Sequence, residues 1–450
     1  MESSGDFTKG DHAIFALKGT MAYTPTPEAF MFAENSYLIC EGGFVKGIWK
    51  ELPEKWKNIK VYDFTGNIIF PGMCDMHLHA PQYAFRGLGM NLENPDWDMW
   101  FEKYAFPDEK RYEDREYAEK AYRRFADDLL KTTTSRCVMF GTIHRESTEI
   151  LMDLLEQRGI CSYVGKVNMD RNSIPGLLET TEESIEETIA WLENCKGRKK
   201  CRPIITPRYI PTCTDKLMEG LGKLVKEKGI PVQSHLSEGL DEIEWVKKLK
   251  PDIKCYAEGY DTYHMMGDLV PAVMAHCVYS SETEIEMMKQ RKQLIVAHCP
   301  QSNISSSGGI APIKRYMKEN IQVGLGTDMA GSNTLSLLRA ITDAIHVSKA
   351  RWAYEERNDD PYAKKNVLSL AEAFYLATHG GNGLWDKVGS FEEGYHFDAV
   401  VMDDSRIRDL CERSNYERCE RLILMSDDRD IAAKFIDGEL VYLRDIHSMA

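Results

Sequence analysis

No apolar stretch in this chain is long enough to cross a bilayer as a helix, and charged residues make up 28% of the 450 positions. A membrane partner is therefore not expected. Positive charge is in the minority: 56 Lys and Arg stand against 71 Asp and Glu, for a formal net charge of −15. Binding through phosphates needs the opposite balance, so nucleic acid is not expected as a partner either. No Cys-x-x-Cys pair occurs among the twelve cysteines, and a chain of this size needs no covalent staples. Free thiols fit a reducing, cytoplasmic compartment. The opening Met1-Glu2-Ser3-Ser4-Gly5-Asp6 lacks the basic-then-apolar pattern of an export signal. A glycine-rich phosphate loop is missing too, and with it the main argument for an open, doubly wound nucleotide-binding sheet.

What is there is an alternation. Residues 10 to 66 hold short alternating segments broken by Gly and Pro, such as Ala13–Leu17, Ser36–Cys40 and Phe44–Ile48, which read as hairpin strands. Similar material returns at Phe397–Met402 and Ala433–Tyr442. These pieces are too few to form a core at either end alone. The expectation is a small β-sandwich domain assembled from both chain ends, residues 1–66 and 385–450, with residues 67–384 inserted as a second domain. In that middle part eight apolar strand-like runs alternate with helical stretches, among them Tyr112–Lys131, Glu182–Glu193, Asp215–Lys228, Leu240–Leu249 and Glu282–Arg291. Eight β-α units predict an α/β fold with a closed (β/α)8 barrel of TIM type.

The first of those runs, Asn67 to His79, ends in Asp75-Met76-His77-Leu78-His79. Side chains alternate along a strand, so His77 and His79 face the same way and can occupy adjacent positions on a divalent metal. Later strand ends carry Arg208, His235, His276, His298 and Asp328. Active sites of such barrels lie at the carboxyl ends of the strands. Any one buried histidine is most simply a hydrogen-bonded core residue, but a set converging from several strand ends defines a metal site. His77, His79, His235 and Asp328 make a nitrogen-rich donor set that suits Zn²⁺ best and Fe²⁺ second. Pro203 to Pro211 holds no lysine that could bridge two ions, so one metal per chain is expected. Glu238 follows His235 by three positions and, beside a metal, is the natural proton carrier. His298 reads as structural, and His144 as a residue near the mouth.

These residues sit in stretches that resemble the amidohydrolase superfamily over nearly the whole chain and, within it, the guanine deaminase family. Pro71-Gly72, Asp75-x-His77-x-His79 and Gly324-Leu325-Gly326-Thr327-Asp328 mark the superfamily. His79-Ala80-Pro81-Gln82, Gly165-Lys166-Val167 and Pro207-Arg208 point to the narrower family, in which the Arg is often followed by Phe where this chain has Tyr209. The resemblance implies that His77, His79, His235 and Asp328 hold zinc, and that Glu238 shuttles protons. It implies that His276 and Asp328 assist at a zinc-activated water, and that Gln82, Arg208 and Tyr209 contact a purine. Guanine would be hydrolysed to xanthine and ammonia, and the chain would form a homodimer. Trp100, with Trp97, Phe101 and Tyr104 in the segment after the first barrel strand, is a candidate to stack on the base. The alternative is another mononuclear aminohydrolase acting on a pterin, adenosine-like, cytosine or triazine substrate; a barrel kept as a non-enzymatic scaffold is a third reading.

Overall fold

The computed structural model describes residues 14–90, 97–356 and 366–444. Ala13 and the residues before it, which the sequence reading includes in the first strand and the small domain, lie outside the described residues, as does the side chain of Trp97. The N-terminal part forms Ile14–Thr26 (β1), Ala29–Glu41 (β2), Phe44–Trp49 (β3) and Lys60–Pro71 (β4). A run of parallel strands follows: Met73–His79 (β5), Thr134–Phe140 (β6), Cys161–Gly165 (β7), Val167–Asn168 (β8), Cys201–Pro203 (β9), Thr206–Pro207 (β10), Val232–Leu236 (β11), Ala272–His276 (β12), Leu294–His298 (β13) and Gln322–Leu325 (β14). The chain ends with Ala399–Met402 (β15), Ile431–Ile436 (β16) and Glu439–Leu443 (β17).

Both chain ends do meet, but in one sheet. Its order is β17-β16-β15-β4-β1-β2-β3. The expected sandwich needs two sheets; here β4 pairs parallel with β1 on one side and antiparallel with β15 on the other, joining the ends into a single mixed sheet. One face of it buries Phe15, Leu17, Leu38, Ile69, Val401 and Phe435 together.

The parallel strands pair in the orders β5-β6-β7-β9, β8-β10 and β11-β12-β13-β14. Two of the expected strands are split. The run through Lys166 breaks into β7 and β8, and the run from Arg202 breaks into β9 and β10, where Pro203 and Pro207 cannot donate to a ladder. Backbone bonds bridge the pieces: Ile205 N donates to Pro231 O at 2.9 Å and Gln233 N to Ile205 O at 3.0 Å. Past β14, Asp328 N donates to His77 O at 2.8 Å and His79 N to Met329 O at 2.9 Å, linking the last strand of the run to the first.

Two layers of apolar packing surround these strands. Met76, Val138, Val273 and Ile295, from four different strands, and Ile204, between β9 and β10, cluster with one another and with Trp385. Leu78, Met139, Val164, Met274 and Val296 turn the other way, into a larger core shared with helices such as Arg115–Leu130 and Leu337–Arg351. Helices Asp215–Lys228 and Leu240–Leu249 have the expected limits. The first is capped by the Thr214 side chain, which accepts from Leu217 N, and stopped by Gly229 in the left-handed region.

A candidate metal centre

Strand β5 delivers His77 and His79 by way of a bulge. Asp75 pairs with Cys137, but Leu78 pairs with Met139, so β5 has one extra residue in that interval. Met76, inside the bulge, packs in the inner cluster, and Leu78, where the pairing resumes, packs in the outer core. The bulge thereby turns both imidazoles inward, where His77 is 1% and His79 4% exposed.

His235 and His276 come from β11 and β12, which pair side by side in parallel. Asp328 lies just past β14 with a left-handed backbone, φ +49°. His276 and Ser237 are also in that region, at φ +74° and +49°, so strained backbone gathers at these strand ends. His77 Nε2 lies 3.3 Å and His79 Nε2 3.6 Å from Asp328 Oδ1. His79 Nε2 and His235 Nε2 face each other at 3.1 Å.

The neighbouring groups fix what these rings present. Arg208 O lies 2.7 Å from His235 Nδ1 and can only accept, so Nδ1 carries the proton and Nε2 turns its lone pair inward. Burial holds the pKa of both His79 and His235 well below the usual imidazole range, and that of His77 lower than usual against the pull of Asp328. Burial alone would raise the Asp328 carboxyl; the His77 imidazole 3.3 Å away and the other imidazoles around it outweigh that and keep it well down. His77 Nε2 is buried without a hydrogen-bond partner among the described residues. Three neutral nitrogens and one carboxylate oxygen, closely spaced and short of donors, fit a single divalent cation.

Glu238 and His276 stand beside this group. Glu238 Oε2 lies 3.4 Å and Asp328 Oδ2 3.8 Å from His276 Nε2. Burial pushes Glu238 up to about 7, with His276 opposing it. Burial would lower His276, but the carboxylates of Glu238 and Asp328 raise its pKa above the usual value. Asn303 Oδ1 holds His276 Nδ1 at 2.8 Å. Asn303 is a residue that sequence reasoning missed, since its role could not be read without the fold.

Gln82 and Arg208 meet through a residue that sequence reasoning missed. Glu109 is 3% exposed; it accepts from Gln82 Nε2 at 2.8 Å and from Arg208 Nη1 at 3.2 Å. Its one signal in the sequence is its place in the segment after the first barrel strand, a few residues past Trp100, Phe101 and Tyr104. Tyr209 stands edge-on to His235 at 6.5 Å between ring centroids. Trp100 packs on Phe85 and Phe101, and its indole N–H donates to Leu88 O. Phe101 and Phe106, stacked at 5.2 Å, are the aromatics beneath the Arg208 guanidinium. His298 borders a small cavity with Ile313, Ser348 and Leu368 and is pushed down to about 3 by burial. His144 sits at the start of helix Arg145–Gln157.

The α/β fold and the donor set define a metal-dependent hydrolase, and the chain belongs to the amidohydrolase family, whose model matches residues 68–441. Within that family its relatives are guanine deaminases. The guanine deaminase of Dictyostelium discoideum is 37% identical over 96% of this chain and 99% of its own length. That of Escherichia coli is 33% identical over 97% of this chain and 99% of its own length. A crystal structure of guanine deaminase from C. acetobutylicum, with guanine bound in its active site, superposes with a TM-score of 0.89. It is 39% identical and covers 95% of this chain and all of its own.

Proposed function

We propose that this chain hydrolyses guanine to xanthine and ammonia, using one zinc ion held by His77, His79, His235 and Asp328. The observation that carries the reading is the position of Glu238 and His276, within 3.4 Å of each other, next to a donor cluster that the Gln82–Glu109–Arg208 chain adjoins through the Arg208 carbonyl. A bound zinc would supply a water whose pKa falls from 15.7 in bulk to about 7.

The chain's own residues then handle protons and position. Asp328, kept ionised, can accept a proton. Glu238, poised near 7, can give one to ring nitrogen N3 of guanine as oxygen adds to C2. The proton that Asp328 takes from the attacking oxygen passes to the departing amino group, so both protons of the water are accounted for. The C2–N bond breaks, ammonia carries off the nitrogen, and C2 keeps the oxygen. His276, anchored by Asn303, can donate from Nε2 toward the developing negative charge. Arg208 and Gln82 contact the purine together with Tyr209, and Trp100 is the candidate to stack on the base.

The same reading takes the parallel strands as a closed (β/α)8 barrel spanning residues 67–384, with residues 1–66 and 385–450 forming the composite small domain. It also takes the protein as a cytoplasmic homodimer, which light scattering would test. Purified protein incubated with guanine should release ammonia and xanthine in equal amounts; no turnover with metal fully loaded would end the proposal.

A further inference from the structure

Glu109 does more than fill space between two side chains. Its Oε1 accepts from Gln82 Nε2 at 2.8 Å and its Oε2 from Arg208 Nη1 at 3.2 Å. The far side of Gln82 is also engaged, because its Oε1 accepts from Ala330 N at 3.2 Å. An amide pinned this way cannot flip. Rotation would set its NH₂ against the Ala330 N–H and its carbonyl against the Glu109 carboxylate, turning two attractions into two repulsions.

The consequence is one of polarity. Gln82 makes one hydrogen bond from Nε2 among the described residues, and that nitrogen carries two hydrogens, so what remains is a donor. Arg208 has only donors, and Glu109 engages one of them. The guanidinium carbon lies 5.4 and 5.9 Å from the Phe101 and Phe106 ring centroids. A buried wall of donors alone accepts a ligand edge made of acceptors and rejects one that brings a donor of its own.

We propose that Glu109 is a positioning residue that sets this polarity, locking Gln82 and Arg208 as a donor-only wall that selects 6-oxopurines over 6-aminopurines. It rests on the guanine reading and deepens it. O6 and N7 of guanine offer acceptors on one edge; replacing O6 by an amino group puts a donor where the wall already has donors. A site lacking its matching partner typically loses an order of magnitude or more per mismatched bond.

The test compares the metal-loaded wild type with Glu109→Gln, using guanine as substrate and 2,6-diaminopurine as competitive inhibitor. That pair shares the 2-amino group and the imidazole ring and differs at position 6 and in the N1 hydrogen that goes with it. In Glu109→Gln the carboxylate becomes an amide that can donate to Gln82, which frees Gln82 to flip. KM for guanine should rise about tenfold or more with kcat changed by less than about threefold. The ratio of the 2,6-diaminopurine inhibition constant to the guanine KM should fall about tenfold, with metal content unchanged. An unchanged ratio, or a loss confined to kcat, overturns the proposal. Should Glu109→Gln not fold, Glu109→Asp keeps the acceptors, shortens their reach and is read by the same ratio. Failure of the wild type to turn over guanine would instead remove the reading on which this one rests.

Discussion

The Thr327 hydroxyl donates to the Asp75 carboxylate at 2.6 Å, across 252 residues of chain. Asp75 also accepts from Thr327 N at 3.0 Å and from His77 N at 3.3 Å. One buried carboxylate thus ties the strand that carries His77 to the segment that carries Asp328. Thr327→Val keeps the shape and removes the hydroxyl, leaving a buried carboxylate oxygen without a partner. Stability should fall by about 1–3 kcal/mol in urea titrations. Bound metal, measured after dialysis, should fall as well, because Asp328 loses its neighbour's anchor. A variant as stable and as metal-rich as the parent would show that the tie is incidental.

Glu238→Gln tests the proton carrier. Glutamine preserves volume and can still hydrogen-bond, but it does not exchange protons. Metal content should stay at the wild-type level while kcat for guanine drops by roughly 10²–10⁴-fold. Near-normal turnover would move the role to another group, with His276, 3.4 Å away, the next to examine.

The sequence made the donor set legible because strand ends are marked by type: His77, His79, His235 and Asp328 each close or follow an apolar run. It could not show how they are aimed. Strict alternation along β5 would put Asp75, His77 and His79 on one face, away from Met76. The bulge after Asp75 is what brings Met76 and the two histidines inward in turn. Glu109 was hidden for another reason: a glutamate on a short helix reads as solvent-facing unless two distant donors are known to converge on it. The single mixed sheet was likewise unreadable, since the two-sided pairing of β4 joins residues more than three hundred positions apart. The pairing of Phe101 with Arg208 was equally hidden, because it joins residues more than a hundred positions apart.

Metal removal should be felt in stability as well as activity. His79 and His235 point ring nitrogens at each other across 3.1 Å, and burial keeps both rings from holding a proton easily. A cation relieves that opposition and binds only the folded chain. Chelation should therefore lower the melting temperature, and restoring zinc at about 100 times its dissociation constant should return about 2.7 kcal/mol. In His235→Ala the zinc-dependent shift should shrink greatly. A melting curve indifferent to chelator and zinc would argue that the cluster holds no ion in solution.

Lys434 gives a prediction with a definite sign. It lies fully buried on β16, and its Nζ donates to Thr134 O at 2.9 Å and Leu129 O at 3.3 Å. Burial lowers its pKa from 10.5 to about 7, with Cys137 and Asp398 pulling the other way. Between those two values the unfolded chain holds a proton that the folded chain has released, so stability rises with pH across that window. Below about 7 both states are protonated and the full cost of the buried charge is present. Lys434→Met removes the amine's hydrogen bonds, although Leu129 O keeps those from Thr132 N and Thr132 Oγ1, and it abolishes the slope. Urea unfolding at about pH 7.5 and about pH 9.5 should show the wild type gaining about 2 kcal/mol more than the variant, since each unit of difference is worth about 1.4 kcal/mol. Parallel curves for the two proteins would mean that Lys434 stays charged inside the fold, with the carbonyls of Leu129 and Thr134 sufficient to solvate it.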